Sequence, residues 1–257
     1  MHKKFFVIVS VSTIIISIGI YLFISYSNKK NLIQNSPVQT IASHPMIKTI
    51  KLAGGNDLCL PKGTYPQFDG VDTAFNDEIS TTIQDAWQEF IVLTTDNWNA
   101  HLETAHLAQN VLPEIPFEFH VEYEIGEVSS RYISAAVRFG GYPAGGAHGY
   151  TNIVTFSYDV INHKNVTLAD IFLNDLQYLE IISKYVRADL QQQFAIVYEK
   201  NGIDGPIDTQ SIYQGTKPEI ESFKNFIING NKIIFYFSPY QVAAYAMGEQ
   251  HVIMPIQ

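Results

Sequence analysis

The chain has 257 residues, 46% hydrophobic and 16% charged, enough apolar material for a proper core and too much for a disordered polymer. Setting aside the first thirty residues removes four lysines and no acids, leaving 12 basic against 25 acidic residues and a formal balance of −13. That balance speaks against nucleic acid and anionic membrane surfaces as partners and favours a cationic one. Cys59 is the single cysteine, so an intramolecular disulfide framework and CxxC metal or redox motifs are excluded.

Phe5 to Ile24 is twenty residues without a charge, with Lys3 and Lys4 before it and Lys29 and Lys30 after it. Such a run can span a bilayer as a helix. It is long for a cleaved signal, and ISYSNKKN after it offers no A-x-A site, so residues 1–30 are expected to remain as a single-pass anchor. The flanking lysines tie, but four residues before the span place the bulk of the chain outside the cytoplasm. Residues 31–46 are polar and without period, as in a stalk.

Ile47 to Leu52 begins the domain as a first strand; Asp57 to Pro66 is a second extended piece, which Pro61 and Pro66 confine to an edge or a loop. Phe75, Ile79, Ile83, Trp87 and Phe90 then recur at steps of four and three, an amphipathic helix capped near Asp72 or Thr73. Residues 98–113 fit either a second helix or a long insertion. Phe117, Phe119, Val121 and Tyr123 alternate with polar residues in a half-buried strand, and Tyr132 to Phe139 returns as the other arm of a hairpin. Glycines at 140, 141, 145, 146 and 149 make a loop that feeds the strand Ile153 to Tyr158.

After a turn at Asn162-His163, Thr167 or Asp170 offers a cap for a long helix carrying Leu176, Leu179, Ile182, Val186, Leu190, Phe194 and Val197. Residues 200–218 read as loop by composition. Phe226 to Ile228 and Lys232 to Phe237 flank an Asn-Gly turn, the signature of a hairpin, and His251 to Pro255 supplies a last strand. Strands and helices come in runs, which predicts an α+β fold with a largely antiparallel sheet and two main helices. The stretch 139–172 joins its two halves.

Three blocks resemble known extracytoplasmic domains. Tyr65-Pro66-Gln67, followed by Phe75-Asn76, resembles the small module ahead of the catalytic domain in PdaC-type peptidoglycan deacetylases (a DUF4163-type domain). Gly145 to His148, Phe156 to Asp159 and Leu168 to Phe172 resemble the junction into an RsiV-like, DUF3298-type domain, and Ser238 to Gly248 is similar to its closing motif. The departures are Gln241 at an acidic position, Ala244 at a proline position and Asn162-His163 in place of Thr-Gly. The resemblance implies a module over 47–149 and a second region over 150–257. In such families these serve as lysozyme-binding receptor portions of anti-sigma factors or as accessory modules of wall enzymes. With four residues ahead of the span and no deacetylase domain after residue 257, the sensing or binding half is expected without either output.

His101 and His106 do not make a zinc site, because histidines five apart lie about 140° apart around a helix and the glutamate does not follow the first directly. No cofactor or metal is expected. His148, after two glycines, either presents a ring to a ligand or fixes its own loop. Asp159 and Asp170 could pair with it in a cell-wall hydrolase, though each also fits a turn or cap. Pro239, Tyr240 and Tyr245 form the best binding signal, a stiff backbone with large amphipathic side chains, set against a core-covering role. The expected function is a membrane-anchored binding or sensing module for a lysozyme-like hydrolase or peptidoglycan, with a hydrolase and a structural envelope protein as alternatives.

Overall fold

The computed structural model of the chain describes residues 45–173 and 175–256, all within one compact unit, Ser43–Gln257. The expected anchor at 1–30 and nearly all of the stalk lie outside the described residues. Among the described residues, no helix is long and apolar enough to cross a membrane.

Six strands form the first sheet in chain order: β1 (Met46–Lys51), β2 (Cys59–Asp69), β3 (Phe117–Val128), β4 (Tyr132–Gly141), β5 (Tyr150–Asp159) and β6 (Lys164–Asn165). The 32-residue helix α1 (Thr73–Thr104) lies on one face, and its expected stripe Phe75, Ile79, Ile83, Trp87 and Phe90 is buried in one core with Phe119, Val121, Ile133, Ala135 and Val137. Asn76 fixes the helix to the sheet by exchanging two 2.8 Å bonds with the Phe68 backbone. The ambiguity at 98–113 resolves as a continuation of α1 to Thr104, followed by loop.

The second extended piece is neither an edge strand nor a loop. β2 lies between β1 and β3, but it changes partner midway: residues 64–69 ladder antiparallel with β1, and residues 59–63 ladder parallel with β3. Pro66 and Pro61 therefore sit in half-strands that each ladder with one neighbour, so a missing N–H costs no ladder bond. The switch occurs at Gly63 (φ 98°), where a Cβ would come within 1.8 Å of the Val121 carbonyl oxygen.

A second, three-stranded antiparallel sheet contains β7 (Phe226–Asn229), β8 (Lys232–Phe237) and β9 (Gln250–Pro255). Ile227, Ile234 and Tyr236 on one face pack with Ala136 and Ile153 of the first sheet. Phe226, Ile228, Ile233, Phe235 and Phe237 join Ile182, Val186, Leu190 and Phe194 of a helix, α3 (Tyr178–Asn201), on the other face. The order of layers is α1, first sheet, second sheet, α3. β7 is the edge of its sheet, and the first sheet covers that edge with hydroxyls. The Phe226 N–H donates to Thr155 Oγ1 and the Ile228 N–H to Ser134 Oγ, both at 2.9 Å, and Ser134 bonds Ser157 at 2.7 Å.

The fold is thus α+β with a mixed and an antiparallel sheet, in place of one sheet, and with two short helices besides the long pair. The 24-residue α3 does not start at the Thr167 cap. Thr167 and Asp170 form a capping box on a single turn, α2 (Leu168–Ile171), and the chain breaks before restarting at Tyr178. Leu176, expected on the helix's apolar face, falls in that break and is 98% exposed. Residues 200–218 are not all loop: Asp208 caps α4 (Thr209–Gly215), which buries Ile212. Residue 149 lies in the loop between β4 and β5, which pair along ten residues.

Candidate functional site

A groove of about 770 Å³ opens at the end of the sandwich where β3 begins, β4 ends and β5 begins. Its floor includes backbone at Gly141, where a Cβ would lie 2.3 Å from the Glu118 carbonyl oxygen, so only glycine lets the two strands approach there. Tyr142, Tyr150 and Tyr245 bring aromatic rings to its lining. Burial pushes the Tyr150 phenol up from its ordinary value, and the charge of Glu89 adds to this, so it is a neutral donor.

Tyr245 belongs to the connection between β8 and β9 and reaches across to the glycine loop before β5. Its hydroxyl donates to the Gly149 carbonyl at 2.6 Å, and the His148 Nδ1 donates to the same oxygen at 2.7 Å. Because a carbonyl only accepts, Nδ1 carries a proton, which leaves Nε2 as the acceptor of the neutral ring. The His148 and Tyr245 rings lie 4.2 Å apart and the Tyr245 and Tyr240 rings 5.3 Å apart. His148 and two tyrosines about a hundred residues later thereby form one tilted stack beside the groove. Tyr240 is 65% exposed and holds a positive φ of 72°, a costly conformation for a residue with a Cβ. Pro239, half-buried, precedes it.

Arg138 also lines the groove. Its guanidinium grips Glu249 with bonds of 2.7, 2.9 and 3.1 Å, reaches Glu124 at 3.3 Å and lies 5.2 Å from the centre of the Tyr236 ring. Burial alone would lower its pKa, but the bonds to Glu249 and the charges of Glu249 and Glu124 outweigh that and raise it. Sequence reasoning did not single out Arg138; the available signal was one cation within the apolar run Tyr132 to Phe139. Elsewhere in the lining, Lys62 pairs with Glu118, which also meets His120 at 3.2 Å. The bond from Lys62 holds the Glu118 carboxyl below its ordinary value.

The two aspartates considered for a hydrolase lie elsewhere. Asp159 ends β5, about 30 Å from His148 by strand length, and accepts bonds from the Ile161 and Asn162 backbone and the Asn162 side chain. Asp170 accepts from Thr167 and Lys164. The structure brings together His148, Tyr240 and Tyr245, and it does not bring either aspartate to them.

Residues 53–151 match the family model Deacetylase PdaC, and residues 169–257 match Protein of unknown function (DUF3298). The chain carries a PdaC region followed by a DUF3298 region. A curated relative, the peptidoglycan-N-acetylmuramic acid deacetylase PdaC of Bacillus subtilis (strain 168), is 34% identical over 136 residues. The match covers 52% of this chain and only 27% of that protein's length. A solved structure of a DUF3298 family member from Bacteroides fragilis NCTC 9343 aligns with a TM-score of 0.55 at 16% identity, covering 83% of this chain and 91% of the other. A DUF3298 family protein from Pseudomonas aeruginosa PAO1 aligns at 12% identity with a TM-score of 0.43, covering 82% and 88%. The first of these likenesses concerns the fold alone. The groove is lined by residues of the PdaC region, Arg138 and Gly149 among them, and by Tyr245 from the DUF3298 region.

Proposed function

We propose that this chain is an extracytoplasmic binding module of the bacterial cell envelope, held to the membrane by residues 1–30, and that its groove takes a glycan strand of the wall. The observation that carries the reading is the His148–Tyr245–Tyr240 stack beside an open groove with a glycine floor. Aromatic faces cover the apolar faces of sugar rings, while Nε2 of His148, the tyrosine hydroxyls and the Arg138 cluster supply polar contacts at their rims. The chemistry is recognition. A second reading, a lysozyme-like cationic protein as ligand, is supported by the balance of −13 beyond residue 30, which would steer such a partner toward the domain.

Surface plasmon resonance of residues 45–257 against solubilised wall glycan and against lysozyme tests both. Tyr240→Ala is expected to speed dissociation about 30-fold, the equivalent of a hot spot of about 2 kcal/mol. Salt should slow association only for the cationic protein. Unchanged dissociation in the folded variant refutes the stack as the binding element. Binding to neither ligand at micromolar concentration returns the chain to a structural role. Glycan hydrolysis that His148→Ala abolishes would replace recognition with catalysis.

A further inference from the structure

Besides its rings, the groove has a row of polar side chains on β3. Glu118, His120, Glu122 and Glu124 stand at alternate positions of that strand and turn away from α1, since Phe119 and Val121 between them are buried in the core that α1 closes. Gly140 lies opposite His120 in the β3–β4 ladder, so β4 puts no side chain beside the row at that point.

Every charge of the lining but one is paired. Lys62 binds Glu118, which also meets His120 at 3.2 Å, and Arg138 binds Glu249 at 2.7 Å and Glu124 at 3.3 Å. Glu122 stands directly opposite Arg138 in the ladder, yet the guanidinium passes it over for the other two carboxylates. Among the described residues, no ion pair and no side-chain hydrogen bond reaches the exposed Glu122 carboxylate. Counted with their partners, the groups of the lining are four carboxylates against Lys62, Arg138 and the ring of His120, so the balance is negative whichever form that ring takes.

The cluster is also not closed on itself. Tyr236 is 3% exposed, with the Arg138 guanidinium 5.2 Å from its ring centre, and its buried hydroxyl has no hydrogen-bond partner. Burial, and then the charge of Glu124, push the pKa of that hydroxyl up, which places it beside Glu124. A buried hydroxyl of this kind costs stability until a further polar group joins the cluster.

Strand register sets the span of the site. Glu122 lies opposite Arg138, Arg138 opposite Ile153, and Tyr150 three residues from Ile153 at the end of the groove where Tyr245 bonds Gly149. Two strand spacings and three residues of rise put the Glu122 backbone about 14 Å from that of Tyr150. A short oligomer, unlike a single sugar ring, can touch both the stack and the free carboxylate.

We infer that Glu122 receives a primary ammonium group of the ligand, so that the groove selects wall polymer carrying free amines. The inference rests on the reading of the groove as a glycan site. An ionised carboxylate only accepts; an ammonium brings three donors and the opposite charge, whereas an acetamido group brings one N–H and no charge. The tyrosine faces add to the same selection, because their π-systems attract cations. Two sources present such an amine: an amino sugar without its acetyl group, and the side chain of a basic residue in a wall peptide.

The test titrates the full chain in detergent with glucosamine oligomers, with N-acetylglucosamine oligomers of the same length and with a short lysine-containing peptide. The glucosamine oligomer should bind about tenfold more tightly than its acetylated form, the worth of one charge-assisted bond in a partly solvated site. Glu122→Gln should remove that preference and leave both the affinity for the acetylated oligomer and the Tm close to those of the wild type. Glu199→Gln removes the same charge from the exposed side of α3 and should leave the preference intact. Tighter binding of the peptide than of the glucosamine oligomer, lost in Glu122→Gln, supports the inference with the peptide as the source of the amine. Equal affinity for the two oligomers, with no binding of the peptide, overturns the amine selection and leaves the glycan reading standing. A preference that Glu199→Gln weakens as much as Glu122→Gln reduces it to overall charge and also overturns it. Binding of neither oligomer nor the peptide, whether or not lysozyme binds, overturns the glycan reading and the inference together.

Discussion

Glu249→Ala should destabilise the domain and loosen its groove, because Glu249 joins the last strands to the middle of β4. Arg138 donates three bonds to it, at 2.7, 2.9 and 3.1 Å, and the two side chains are only 20% and 19% exposed. Breaking a fully buried pair costs about 3 to 5 kcal/mol, because the surviving charge loses its partner. Two conditions reduce that figure here. Each group retains some solvent, and Arg138 keeps Glu124 at 3.3 Å, so a loss of about 2 kcal/mol is expected. In a domain of this size that corresponds to a fall in Tm of roughly 4 to 8 °C. Arg138→Met should cost at least as much, since it leaves both carboxylates without the cation and removes the contact with the Tyr236 ring.

The decisive measurement is the double-mutant cycle in chemical denaturation. Arg138→Met with Glu249→Leu should lose less than the two single changes together, by a coupling of about 1 kcal/mol or more, because no orphaned charge remains at Glu249. Simple additivity would refute the pair as a clasp between the PdaC and DUF3298 regions. The same variants should bind the ligand of the groove more weakly even where they remain folded, as Glu249 ends the segment that carries Tyr240 and Tyr245. Normal binding in a destabilised Glu249→Ala would show that the stack holds its place without the clasp.

Ser134→Ala removes the buried acceptor of the Ile228 N–H and the partner of Ser157, so denaturation should show a loss of about 1 to 3 kcal/mol; a loss below half of that would mean the covered β7 edge finds another partner. Asp170 is held down to about 2 by the bond from Lys164 and then by the Thr167 backbone. Its folded pKa lies below the ordinary value of 3.8, so its contribution is present above that value and is lost as pH falls toward 2. Asp170→Asn should therefore cost about 1 kcal/mol at neutral pH, and its difference from the wild type should close on acidification; a difference independent of pH would refute the assignment. Gly63→Ala sets a Cβ against the Val121 carbonyl and should cost more than about 4 kcal/mol or prevent folding, whereas an ordinary Tm would show that β2 does not change partner there.

The local elements were legible because periodicity is a record of which face is buried. Phe75 to Phe90 at helical spacing specified the buried stripe of α1, and the alternation from Phe117 to Tyr123 specified β3. The residues of the stack were also legible as candidates, since a histidine after glycines and tyrosines after a proline stand out chemically. What the sequence did not contain was their meeting: His148 and Tyr245 are 97 positions apart, and only the packing of the second sheet on the first brings their rings to 4.2 Å. The same holds for β2, whose two half-ladders depend on neighbours before and after it, and for β7, whose edge is satisfied by hydroxyls on β4 and β5. Side-chain pattern reports burial at a residue's own position. Strand partnership and the separation of Asp159 from His148 along β5 are relations between distant positions, fixed only when the layers close on one another.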